Sequence, residues 1–121
     1  MDKRISGIVP KYKIWLETSD GKGILGDGKW LLLKTIEETG SLKAAIEKLG
    51  LSYRKTWNNL QQIEKRFGCP ILETSRGGTD GGGNTYLTKD GEKIVKAFDK
   101  FHSNFDKLVN KAFISFLNDL K

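Results

Sequence analysis

Cysteine occurs once, at Cys69, so no internal disulfide can form and a reducing compartment is expected. Its place after a helical pattern suits an inert thiol at a helix-to-strand corner better than a redox switch. Histidine is as scarce: His102, the single one, lies beside an apolar stripe with no nucleophile or metal-ligand partner in the pattern. The acidic residues are scattered among lysines at helical spacing, as on solvated faces. Catalytic residues, a metal site, a cofactor and a small-molecule ligand are therefore not expected. No apolar run is long enough to span a bilayer and no signal-like segment opens the chain, so a cytoplasmic protein with no membrane partner is expected. Low-complexity tracts and internal repeats are missing too, as in one compact domain. Negative charge is the remaining shortage. The chain has 21 Lys and Arg against 15 Asp and Glu, a formal charge of +6 that suits an anionic partner.

What is present is concentrated between Gly40 and Thr88. Ser41 precedes Leu42, Ala45, Ile46 and Leu49, whose i, i+3, i+4, i+7 spacing puts all four on one helical face. Gly50 ends that helix, and Ser52 is placed to cap the next by accepting from its free backbone N–H groups. The second helix is predicted from Tyr53 to about Phe67, stopped by Cys69-Pro70, with Thr56, Leu60, Ile63 and Phe67 inward and Trp57 at the border. So short a link forces a sharp crossing, the geometry of a helix-turn-helix, and leaves the first turn of the second helix protruding.

That end of the helix, its cap and first two turns, carries Ser52, Tyr53, Arg54, Lys55, Asn58 and Asn59. Arginine can donate two parallel hydrogen bonds to guanine, asparagine can bridge adenine, and lysine can reach phosphate or guanine. The cap at Ser52 favours a phosphate through the helix dipole and free N–H groups, and Ser41 joins the candidate set as the other cap. Ile71–Thr74 and Thr85–Leu87 can form a two-stranded ribbon, the wing of a winged helix. Between its strands Arg76, Gly77, Gly78 and Thr79 open a glycine-rich loop with little side-chain bulk, able to lie close to a sugar-phosphate backbone. A nucleotide-binding loop would need a helix after it and a closing Lys-Ser or Lys-Thr pair, and here a strand follows. A plain flexible hairpin is the bland alternative.

Upstream, Tyr12, Ile14 and Leu16 alternate with Lys13, Trp15 and Glu17, the period of a half-buried strand. It is expected to join the wing strands or to pair with its counterpart in a second subunit. Ser19–Gly23 turns the chain, and a helix is predicted from about Lys29 to Thr39 with Trp30, Leu33 and Ile36 on one face; Trp30 and Trp15 are read as packing residues. Downstream, Thr88 opens a proline-free segment to Lys121. Ile94, Phe98, Phe101, Phe105, Leu108 and Ala112 recur every three or four residues, and Phe113, Phe116, Leu117 and Leu120 extend the stripe. Unbroken, that helix would be roughly 45 to 50 Å long, more than a small domain covers. Large apolar faces in water mark contacts, so Ile94, Phe98, Phe101, Phe105, Leu108, Phe113, Phe116 and Leu117 are expected at a homodimer interface. A helix broken near Ser103-Asn104 and folded back is the alternative.

The segment from Lys13 to Leu87 resembles the N-terminal DNA-binding domain of the ModE family of molybdenum-responsive regulators, a relative of the LysR-type winged helix. The resembling pieces are Asp20-Gly21, Glu38–Leu42, Leu49–Trp57, Pro70–Thr74, Gly81-Gly82-Gly83, Leu87-Thr88 and Gly91. The resemblance implies that the helix opened by Ser52 is the recognition helix, the glycine loop the wing and the last helix a dimer contact. It implies no oxyanion sensor here, because the strand-rich molybdate-binding domains of that family have no counterpart in this sequence.

The expected fold is mainly α with a small antiparallel sheet, an α+β winged helix-turn-helix. Residues 1–87 form its DNA-binding part and residues 88–121 a long C-terminal dimerisation helix in the same compact unit. The expected function is a homodimeric, sequence-specific transcriptional regulator with double-stranded DNA as partner. Rivals are an architectural protein that coats DNA with little sequence preference, and a winged helix that serves as a protein-interaction module.

Overall fold

The computed structural model describes residues 6–75 and 84–121. Among these, four α-helices and two antiparallel hairpins follow one another as β1 (Trp15–Glu17), β2 (Gly23–Gly26), α1 (Asp27–Thr39), α2 (Leu42–Leu49), α3 (Tyr53–Phe67), β3 (Leu72–Ser75), β4 (Asn84–Leu87) and α4 (Lys89–Asp119). The sequence expectation of a mainly α protein with a small antiparallel component is met.

The helix ends follow local chemistry. Ser41, Ser52 and Thr88 stand at the N-caps of α2, α3 and α4, and each side-chain oxygen accepts a backbone N–H from three residues on. Gly40, Gly50 and Gly68 close α1, α2 and α3 with φ of 68°, 64° and 73°, the left-handed region a side chain disfavours. Gly68 therefore ends α3 just before Cys69-Pro70, the pair expected to stop it. α1 begins at Asp27, two residues before the predicted Lys29, and its N-cap Gly26 offers no side-chain oxygen.

Leu33 and Ile36 of α1, Leu60 and Ile63 of α3, and Ile71 ahead of β3 form the most enclosed part of the core. Leu42, Ala45 and Ile46 seal α2 onto it, while Val95 and Phe98 bring in the first half of α4. Polar ties fix the wing strands to this body. The Thr85 amide donates to the Gly40 carbonyl at 2.8 Å, and the Leu42 amide donates to the buried Thr85 hydroxyl at 3.3 Å. The Thr88 hydroxyl donates to the Pro70 carbonyl at 2.7 Å, so the cap of α4 also holds the start of the wing.

Several expectations need correction. The Tyr12–Glu17 segment neither joins the wing nor requires a second subunit: β1 pairs with β2, Leu16 opposite Leu25, because the tight turn at Thr18–Lys22 closes the chain on its own next residues. Trp15 points outward from that hairpin, more than half exposed, and donates to Glu17 at 2.7 Å, so it is no core residue. Phe67 also fails to reach the interior. It lines an apolar groove of about 230 Å³ with Leu16, Leu25, Ile94 and Phe101, since α3 runs past the core at its C-terminal end. α4 is continuous through Ser103 and Asn104, which removes the folded-back alternative. Phe98, expected at an interface between subunits, is 2% exposed and packed within its own chain.

Candidate nucleic-acid interface

α2 and α3 meet through Gly50, Leu51 and Ser52. The left-handed Gly50 lets the Leu51 amide fold back to the Ile46 carbonyl at 3.0 Å, so α3 departs at once in a new direction. Thr56, Leu60 and Ile63 anchor α3 inward. The residues one turn round from them therefore face water: Ser52, Tyr53, Arg54, Lys55 and Asn58 are all exposed, with Tyr53 at 60%.

Asn59 is half-buried against the body. Trp57, 46% exposed, extends the outward face by a turn beside Tyr53 and Arg54, further out than the border position expected of it. The Ser52 hydroxyl accepts from the Lys55 amide at 3.4 Å, a long cap. Among the described residues, no side-chain hydrogen bond or ion pair ties down Arg54, Lys55 or Asn58. This arrangement leaves two cations and an amide free to meet a partner rather than the protein itself.

Ser41 sits apart from this turn, at the α1–α2 corner, where its hydroxyl accepts from the Ala44 amide at 3.1 Å and Thr39 and Thr85 surround the same corner. Arg76, Gly77, Gly78 and Thr79, the wing candidates, lie outside the described residues. The strands that carry that loop are placed: β3 and β4 pair from Leu72 opposite Leu87 to Ser75 opposite Asn84.

Two groups of residues escaped the sequence reading. Lys29, in the first turn of α1, lies beside Ser52, Lys55 and Asn59 along one groove. Finding it needs the crossing of α1 and α3, which no periodicity reports. The second group joins the N-terminal segment to α4. His102 stacks between Tyr12 and Trp30, at ring separations of 5.8 and 5.0 Å, while its two nitrogens face Asp27 and Asp106 at 3.5 and 3.4 Å. Tyr12 donates to Asp106, and that hydrogen bond holds its phenol up at about 12. The histidine is a packing and bridging residue here.

A short-linked helix pair with a free, cationic first turn and a two-stranded ribbon tied to the same core is the architecture of the helix-turn-helix class, to which DNA-binding transcription regulators belong. Residues 29–92, more than half the chain, match the bacterial regulatory helix-turn-helix proteins of the lysR family, and the chain belongs to that family. The molybdenum-pterin-binding protein MopB of Rhodobacter capsulatus is 34% identical over 86 residues, 71% of this chain and 32% of that protein. The transcriptional regulator ModE of Haemophilus influenzae is 37% identical over 68 residues, 56% of this chain and 26% of that protein. The DNA-binding transcriptional dual regulator ModE of Escherichia coli K12 is 29% identical over 68 residues, with the same coverage. The chain thus spans between about a quarter and a third of these relatives' lengths, and the resemblance is to a ModE-like helix-turn-helix domain. Among the described residues no helix is long and apolar enough to cross a membrane.

Proposed function

We propose that this protein is a sequence-specific regulator that binds a twofold-symmetric operator as a homodimer. The carrying observation is the outer face of the first two turns of α3, where Arg54, Lys55 and Asn58 stand exposed and without side-chain partners among the described residues, on a helix anchored by Thr56, Leu60 and Ile63. Such a helix entering the major groove places an arginine and an asparagine against base edges. In this reading Tyr53 and Ser52 border the contact, Asn59 adjoins it, and the wing loop from Arg76 to Thr79 holds the flanking backbone.

The outer half of α4 supplies the second copy. Leu108 and Phe116 are 58% and 53% exposed, with Phe105, Phe113 and Leu117 half-buried along the same helix. Apolar surface of that extent on a projecting helix favours self-association. Ile94 and Phe101, which pack partly on their own core, would adjoin that contact rather than form its centre.

Selection of bound fragments from genomic DNA tests both parts, and an inverted repeat is the expected consensus. Arg54→Ala should then cost about 1 to 3 kcal/mol, concentrated at one base position of each half-site. An equal loss on every duplex would instead indicate an architectural protein. Absence of any salt-sensitive DNA affinity would leave the protein-interaction reading.

A further inference from the structure

Lys29 stands half-buried at the start of α1, and its ammonium donates to the Gly23 carbonyl at 3.0 Å. Among the described residues no carboxylate pairs with it; its neighbour Asp27 faces His102 instead. Partial burial pulls its pKa down, as for an ammonium that has shed some of its water with no carboxylate beside it among the described residues. Such a group gains from an incoming anion.

The surroundings say where that anion would come from. Lys29 shares a groove of about 270 Å³ with Ser52, Lys55 and Asn59, over a floor that includes Leu32 and Thr56. At about 30 Å³ per water molecule, the space holds a phosphate with its linking oxygens and some solvent. Three of these residues belong to the first two turns of α3, so the groove lies beside the face proposed to read bases. A helix seated in a major groove has sugar-phosphate backbone along both of its flanks.

We infer that Lys29 and Lys55 grip one backbone phosphate of the bound duplex in this groove, which makes α1 a second anchor that sets the depth and angle of α3. This rests on the DNA-binding reading above and adds to it a residue outside the helix-turn-helix. The contact carries no base preference. Lys29 is a positioning residue for α3.

The test uses the full chain and the duplex recovered by fragment selection, beside an unrelated duplex of equal length. Lys29→Gln and Lys29→Met remove the charge while keeping much of the stem, and either one that folds like the wild type by circular dichroism serves. The salt dependence of the dissociation constant should lose about 0.9 log units per tenfold change in salt for each subunit bound, about 1.8 for a dimer on both half-sites, with the same fold weakening on both duplexes. Lys29→Arg should keep the wild-type slope. A scan with single neutral methylphosphonate linkages should reveal one position in each half-site that weakens the wild type clearly more than the neutral variants, which keep only the Lys55 half of the grip.

An unchanged slope in a folded neutral variant, with wild-type binding intact, overturns the phosphate grip alone. So does a scan in which wild type and variants respond alike at every linkage. Loss concentrated on the selected duplex would also overturn it, because Lys29 would then act in base readout. If the wild type shows no salt-sensitive affinity for any duplex, the grip and the DNA-binding reading fall together.

Discussion

At the scale of single residues, the Tyr12–Asp106 hydrogen bond makes a claim about pH. Donation to a carboxylate, with the carboxylate's own charge, disfavours the phenolate and raises the phenol from 10.0 to about 12. For a group raised in the folded state, the stabilisation is fully present below the unfolded pKa and disappears as pH climbs through the folded one. The bond between the N-terminal segment and α4 should therefore hold through neutral pH and weaken between pH 10 and about 12. Ultraviolet titration should show a tyrosine that ionises late in the wild type, returns toward 10 in Asp106→Asn, and is missing from the curve in Tyr12→Phe. A late step that survives Asp106→Asn would mean that the carboxylate is not the cause. The same scale shows which residues a sequence reveals. Arg54, Lys55 and Asn58 were legible as exposed because Thr56, Leu60 and Ile63 fix the phase of their helix. Lys29 was not, because its meaning depends on a carbonyl of β2 and on residues of α3 that approach it only in the folded chain.

At the scale of elements, the first turn of α4 passes tightly against the lead into β3 at Gly91. A Cβ added at Gly91 would lie 2.4 Å from the Ile71 carbonyl oxygen and 3.1 Å from its Cγ2. Helix propensity alone would favour alanine by up to about 1 kcal/mol. The clash opposes this and should prevail, since the obstructing atom is backbone, held in place by its bond from the Thr88 amide at 2.9 Å. Gly91→Ala should lower unfolding free energy by about 1 to 3 kcal/mol in denaturant titrations, as overpacked sites do; an unchanged or higher midpoint would show that α4 can slide off the strand. Elements also divide by legibility on physical grounds. The serine and threonine caps and the closing glycines are local, so the ends of α2 and α3 could be read within a residue or two. β2 could not, because Gly23-Ile24-Leu25-Gly26 is too short to display a period and acquires its strand form only by pairing with β1. Phe67 has the spacing of a core residue, yet the core ends before α3 does.

At the scale of the whole molecule, α4 has two environments along one uninterrupted helix of 31 residues, about 46 Å long. Its first half, through Val95 and Phe98, is part of the domain's own core; from Leu108 onward the large apolar side chains Leu108, Ile114 and Phe116 are exposed. Sequence periodicity runs through both halves unchanged, which is why Phe98 and Phe116 read alike although only one is buried. The division lets association be separated from folding by experiment. Burying a leucine or phenylalanine side chain contributes about 1.5 to 3 kcal/mol, and a twofold interface counts each residue twice. Leu108→Asp with Phe116→Asp should therefore weaken a homodimer by at least about 3 kcal/mol, more than a hundredfold in dissociation constant. Sedimentation equilibrium should show monomers, while the thermal unfolding of the helix-turn-helix core stays close to that of a wild-type sample at equal subunit concentration once the linkage to association is allowed for. Affinity for a symmetric duplex should fall toward that for a single half-site, with half-site affinity itself preserved because α3 is untouched. A variant that remains dimeric, or that loses half-site binding as well, would place the subunit contact elsewhere than on the outer half of α4.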